Sequence, residues 1–101
     1  MPSREVLPIV WTEKALLNAI SIKQYLFSNF SFKEIDNFYV LLQTFEITVC
    51  TFPELYPKSR IKKNIRRAVV SKFLSAYYQI HKGRIEVLAL LDNRCDISKW
   101  I

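Results

Sequence analysis

Seven positive side chains crowd the fifteen residues from Lys58 to Lys72: Lys58, Arg60, Lys62, Lys63, Arg66, Arg67 and Lys72, with no acid among them. Ammonium and guanidinium groups at that density attract a polyanion or an acidic protein partner. A solvated basic surface kept for solubility accounts for such a cluster equally well. Other reactive side chains are sparse. His81 is the only histidine, and Cys50 and Cys95 lack metal-ligand spacing. They read as two reduced thiols of a cytosolic chain, with Cys50 packing on a helix flank. Neither a metal site nor a small-molecule cofactor is expected.

The basic cluster belongs to one half of the chain. Residues 1–57 hold four basic residues against six acidic ones, and residues 58–101 hold eleven against three, giving the net charge of +6. At 101 residues, half of them apolar and 14% aromatic, one folded domain over 1–101 is expected. The sequence begins without a basic leader and apolar run, and no stretch approaches the ~18 apolar residues of a membrane span. The expectation is a chain with neither signal peptide nor transmembrane helix.

The elements that must carry the charge follow from spacing. "VLPIVW" (6–11) reads as a strand, and Thr12 can cap a helix from Glu13 to about Ser28. Ala15, Ala19, Ile22 and Leu26 line one face of that helix, with Leu16, Ile20 and Phe27 on its flank. Ser31 and Glu34 have capping-box spacing and start a second helix. There Ile35, Phe38, Leu42, Phe45, Val49 and Phe52 step by three and four, a seam for packing against the first helix, until Pro53 ends it. A loop over 53–64 follows, and the period then changes to two.

"FLSAYYQIH" (73–81) and "RIEVLALLD" (84–92) alternate as strands, joined at Lys82–Gly83, where the only glycine suits a tight hairpin. A two-residue loop pairs Tyr78 with Val87, Ala76 with Ala89 and Leu74 with Leu91 on an apolar face directed at the helices. It pairs Tyr77 with Leu88, Ser75 with Leu90 and Phe73 with Asp92 on a mixed, partly open face. "IRRAVV" (65–70) precedes as an antiparallel neighbour. With Ser71–Lys72 as a two-residue turn, Arg66, Ala68 and Val70 join the open face; a bulge would bring Arg67 there instead. The expected fold class is α+β: an N-terminal strand, a helical hairpin, then a three-stranded antiparallel meander packed on the helices.

"IVWTEKALLNAISIKQYL", "FPELYP" and "IRRAVVSKFLSAYYQIHKGRIEVLALLDNR" together resemble the RelE/ParE superfamily of bacterial type II toxins, over residues 6 to 96. The parts that carry the resemblance are Trp11–Thr12 leading into the first helix, the arginine pair leading a strand, the strand ending in Tyr78, and the closing "DNR". The resemblance implies a small bacterial cytoplasmic protein that halts growth until a cognate antitoxin silences it. RelE-like members cleave messenger RNA in the ribosome, and ParE-like members inhibit DNA gyrase.

RNA cleavage on this fold requires several cations on the sheet face and groups that move the 2′-hydroxyl and leaving-group protons. Arg66 fits the first basic position and Arg94 the one after the last strand. Ser75 stands where a mid-strand arginine would be, Trp100 is no proton-transfer group, and His81 falls at the hairpin tip. A complete nuclease set is not visible, which favours the ParE-like branch, although the loop lysines can add charge. Arg66, Arg67, Arg94 and Tyr77 are the candidate catalytic or target-binding residues. Lys58, Arg60, Lys62, Lys63 and Lys72 are candidates for contact with the antitoxin or a polyanion. Arg94 could equally pair with Asp92 or Asp96 and close off the sheet.

An acidic, apolar antitoxin segment, disordered until bound, would suit the basic half, adding a strand or helix across the sheet and the helical hairpin with its carboxylates on the Lys58–Lys72 cluster, so that the chain alone would expose an apolar groove. Two other readings stand beside this one. Phe73 and Tyr77 on the open face would also suit a plain nucleic-acid-binding module, since bases stack on such rings, but no RNP, KH or zinc pattern accompanies them. A decayed toxin would still fold and bind an antitoxin.

Overall fold

The computed structural model describes residues 6–60 and 62–93. Its elements run β1 (Ile9–Trp11), α1 (Glu13–Asn29), α2 (Phe32–Thr51), β2 (Arg66–Val69), β3 (Leu74–His81) and β4 (Arg84–Asp92). This is the expected α+β architecture. Among these residues no helix is long and apolar enough to cross a membrane.

Each helix starts where a side chain meets the free N–H groups of a first turn. The Thr12 hydroxyl accepts from the Ala15 N–H at 3.2 Å. The Glu34 carboxylate accepts from the Ser31 N–H at 3.1 Å and from the Ser31 hydroxyl. These bonds hold the Glu34 carboxyl below its usual value, the Ser31 side chain contributing most. The α2 seam is buried at Ile35, Phe38, Phe45 and Val49, and Cys50 joins it. Phe52 caps the helix end and is 47% exposed rather than part of the core. On α1 only Ala15 is buried; Ala19, Ile22 and Leu26 pack partly against the core, and Leu16, Ile20 and Phe27 face outward.

The four strands form one sheet in the order β1-β4-β3-β2. The first strand is shorter than expected and inserts parallel to the last, Ile9 opposite Ile85. The β3–β4 hairpin turns at Lys82 (φ 51°) and Gly83 (φ 74°). Two successive left-handed residues match the right-handed twist of the flanking strands.

The expected register holds from His81–Arg84 to Tyr78–Val87 and then fails. A bulge takes up Leu88, so Tyr77 lies opposite Ala89, Ala76 opposite Leu90 and Ser75 opposite Leu91. Beyond the bulge the faces of β4 exchange. Leu90 enters the helix-side core with Ala76 and Tyr78, while Ala89 and Leu91 turn to the far side. The bulge leaves backbone groups out of the ladder, and α1 meets them. The Thr12 hydroxyl donates to the Leu88 carbonyl at 3.3 Å, and the Asn18 amide oxygen accepts from the Leu90 N–H at 3.2 Å.

The β2–β3 connection also departs from the two-residue turn. The N–H groups of Val70 and Ser71 both donate to the Leu74 carbonyl, making Ser71–Phe73 a three-residue loop. Arg66 therefore pairs with Tyr78, Arg67 with Tyr77 and Ala68 with Ala76. Ala68 and Val70 go to the helix-side core, and Phe73 lies outside the strand, 65% exposed.

Candidate functional site

The extra loop residue separates the two strand arginines. Arg66 shares a register position with Tyr78, and its Nη1 donates to the Tyr56 carbonyl at 2.7 Å and to the Glu54 carbonyl at 3.4 Å. The Tyr78 hydroxyl donates to the Pro53 carbonyl at 2.7 Å. Together they tie down the turn that follows α2. Burial pushes the Tyr78 phenol up to about 12, against a smaller opposing effect of the Arg66 charge. Arg66 is thus a structural clamp, contrary to its expected place on the open face.

Arg67 occupies that place. Its Nε donates to Ser75 Oγ at 3.1 Å and its Nη2 to Asn93 Oδ1 at 3.3 Å. The Ser75 hydroxyl also donates to Asn93 Oδ1. Asn93 Nδ2 donates to the carbonyls of Lys72 at 2.9 Å and Ser71 at 3.4 Å, and its N–H donates to the Phe73 carbonyl at 2.8 Å. One asparagine thereby orients both the guanidinium and the loop carrying Lys72 and Phe73. The Lys72 ammonium sits 5.6 Å from the centre of the Phe73 ring.

The far face is less open than expected. Ser75 is completely buried, and Tyr77 (6% exposed) packs with Ile65, Ala89 and Leu91 in a small second core. Tyr77 is consequently a packing residue with no ring free for stacking, and Phe73 is the exposed aromatic here. Arg94, with Cys95 and Trp100, lies outside the described residues. His81 is exposed at the hairpin tip opposite Arg84, away from Arg67, as its spacing suggested.

The expected contact lysines group along the β2 edge. Lys58 bridges to Arg66, the Arg67 N–H donates to the Pro57 carbonyl at 3.0 Å, and the Ser59 N–H donates to the Ile65 carbonyl at 2.6 Å. The loop thus shields the first part of β2 with its own backbone while Lys58, Arg60, Lys62 and Lys63 remain exposed. Lys72 is exposed at the other end of β2. The arrangement is an Arg67 guanidinium hydrogen-bonded to neutral partners on a strand with exposed cations before and after it in the chain. It can bind an anion, phosphate or carboxylate, through charge-assisted hydrogen bonds. Among the described residues, the hydrogen bonds around the Arg67 side chain join it to Ser75 and Asn93, both neutral. In the sequence Ser75 reads only as a missing arginine and Asn93 only as part of "DNR". Their shared role depends on the bulged register, and local spacing carries no signal for it.

A second feature lies on the hairpin. Trp11, Leu16, Tyr39, Leu42, Gln43 and Glu46 line a groove of about 390 Å³. Trp11 Nε1 donates to the Glu46 carboxylate at 2.9 Å, and Lys23 lies 5.4 Å from the Tyr39 ring centre. Among the described residues no group of three His, Cys, Asp or Glu side chains could hold a metal.

No protein-family model and no curated protein matches this sequence. Its fold does have a solved counterpart. A chain of the chromosomal ParDE toxin–antitoxin system from P. aeruginosa superposes with a TM-score of 0.71, over 87% of this chain and 97% of that one. At 13% identity the likeness is one of fold, and it agrees with the fold that the RelE/ParE resemblance implies.

Proposed function

We propose that this chain is the toxin of a bacterial type II toxin–antitoxin pair, acting in the cytoplasm and silenced by a cognate antitoxin. The observation that carries the reading is the fold shared with a chain of a ParDE toxin–antitoxin system. The composition of the Arg67 cluster favours a ParE-like activity, inhibition of DNA gyrase by protein contact, over RelE-like cleavage of messenger RNA. Cleavage requires proton transfer at the 2′-hydroxyl and leaving oxygen, and among the described residues the Arg67–Ser75–Asn93 network contributes positive charge and hydrogen bonds.

The antitoxin in this reading contributes an acidic segment that orders on binding. Its carboxylates lie along Lys58, Arg60, Lys62, Lys63 and Lys72, beside Arg67. Neutralisation then works by covering the same cations that address the target.

The test is pulse-labelling after induction of the chain alone in bacteria, with thymidine and methionine incorporation followed separately. Early loss of DNA synthesis with a damage response is expected, and Arg67→Ala abolishes it. Early loss of protein synthesis instead assigns the ribosome as target. Undisturbed growth removes the toxin reading. Salt-sensitive binding to bare RNA or DNA, without arrest, would reassign the chain as a nucleic-acid binder.

A further inference from the structure

The loop over Ser71–Phe73 has three backbone carbonyls, and all three accept from one residue. Asn93 Nδ2 donates to those of Ser71 and Lys72, at 3.4 and 2.9 Å, and the Asn93 N–H donates to that of Phe73 at 2.8 Å. On its inner side the loop is closed by the Ser71 hydroxyl oxygen, which accepts from the N–H groups of Phe73 and Leu74, both at 3.2 Å. Without Asn93 the loop carbonyls would have to find other partners. The loop carries two exposed side chains, Lys72 and Phe73, in cation–π contact.

The other end of the same amide turns to the sheet. Asn93 Oδ1 accepts from Arg67 Nη2 and from the Ser75 hydroxyl. Only one orientation of the amide serves both sides, because the loop offers acceptors while Arg67 and Ser75 offer donors. An aspartate here would keep the acceptor, lose the donor to the loop, and compete for Arg67 with any outside anion. Asparagine holds the guanidinium without neutralising it. Asp92, its neighbour in the chain, stands opposite Leu74, which packs on the helix-side core. The alternation of the strand thus sends that carboxylate to the other face of the sheet from Arg67.

We propose that Asn93 is a positioning residue, which joins the Arg67 guanidinium and the Lys72–Phe73 loop into one preorganised contact that meets the target as a unit. Ordering these side chains in advance spares their entropy when the target binds. Phe73 is then an aromatic anchor beside two cations. The part played at the target rests on the toxin reading, whereas the coupling of Arg67 to the loop is a property of the chain alone.

Nitrogen-15 relaxation of the full chain reads that coupling with no target present, at the Arg67 Nε–H and the Phe73 amide. Both are expected to be ordered, with Phe73 near an order parameter of about 0.85, and Asn93→Ala takes both below about 0.6 with the far-ultraviolet spectrum unchanged. Asn93→Asp separates them: Arg67 stays ordered while Phe73 loosens, a division that general weakening of the strand end does not produce. Growth arrest reads the consequence. Phe73→Ala and Asn93→Ala each raise the dose of the chain needed for arrest about tenfold, and the double variant falls short of the product of the two. Order retained at Arg67 or Phe73 in Asn93→Ala overturns the proposal. So do equal responses of the two groups to Asn93→Asp, or effects of Phe73 and Asn93 that simply multiply. A wild-type chain that arrests nothing removes the toxin reading and the target contact with it, and the relaxation comparison still decides the coupling.

Discussion

The two faces of the sheet are built by different means. On the helix side, Trp11, Phe45, Tyr56 and Tyr78 stack edge-on or tilted at ring separations of 6.1–6.4 Å, over small residues that let the helices approach. On the far side, Ile65, Tyr77, Ala89 and Leu91 make a thin cluster, beside which a polar network of Arg67, Ser75 and Asn93 lies on the sheet. One face is held by aromatic volume, the other by a few hydrogen bonds around a cation. The charge lies where the packing is thin, and the aromatic volume lies on the opposite face.

Several substitutions break or sharpen this contrast. Phe45→Ala removes the ring at the centre of the aromatic stack and costs about 3–5 kcal/mol in urea unfolding. Leu91→Ala on the thin face costs less, about 2–3 kcal/mol, because fewer neighbours lose contact. If the two costs were equal, the faces would not differ as described. Asn18→Ala leaves the Leu90 N–H at the bulge without its acceptor. A loss of about 1–2 kcal/mol is expected, after allowance for alanine's better helix propensity.

The adjacent arginines give the sharpest comparison. Arg66→Ala frees the carbonyls of Glu54 and Tyr56 and lowers stability by about 1–2 kcal/mol, read from the denaturation midpoint. Arg67→Ala costs less than that, since Ser75 and Asn93 still bond each other, yet under the proposed toxin function it removes growth arrest. Tyr78→Phe costs about 1 kcal/mol at neutral pH by leaving Pro53 without its donor. Burial raises the Tyr78 phenol from 10.0 to about 12, so its contribution is whole below pH 10 and is lost as pH rises towards 12. The phenylalanine variant accordingly shows a shallower alkaline loss in denaturation midpoints.

The smallest effect is expected at Glu86. Hydrogen bonds from Gln79 and then Arg84 hold its carboxyl below the ordinary value of 4.5. A lowered carboxyl stabilises above that value and ceases to do so as pH falls through its folded pKa. Glu86→Gln should therefore flatten the dependence of the thermal midpoint on pH in the acid range, its small loss of stability appearing at neutrality and vanishing in acid.

Both helices were legible in the sequence because their signals are local: Thr12 and Ser31 at the starts, apolar residues at steps of three and four, Pro53 at the end. The hairpin turn was legible because Gly83 is unique. The strand faces were only half legible. The Leu88 bulge is stabilised by Thr12 and Asn18 on a distant helix, and nothing in the alternation of "RIEVLALLD" announces it. The same holds for Arg66 and Arg67, whose exchange depends on one extra loop residue supported by Asn93. The parallel seat of β1 beside β4 is a long-range choice that a three-residue strand cannot signal.

That seat has a consequence for the order of assembly. Ile9 is made early and its sheet partner Ile85 late. At roughly 5–20 residues per second, several seconds of synthesis separate them. Closing so long a loop is entropically slow compared with forming the α1–α2 hairpin or the β3–β4 turn. A nascent chain therefore carries a capped helical hairpin well before its sheet is complete. The face bearing Arg67 takes shape only once Asn93 has left the ribosome, long after the helical hairpin has formed.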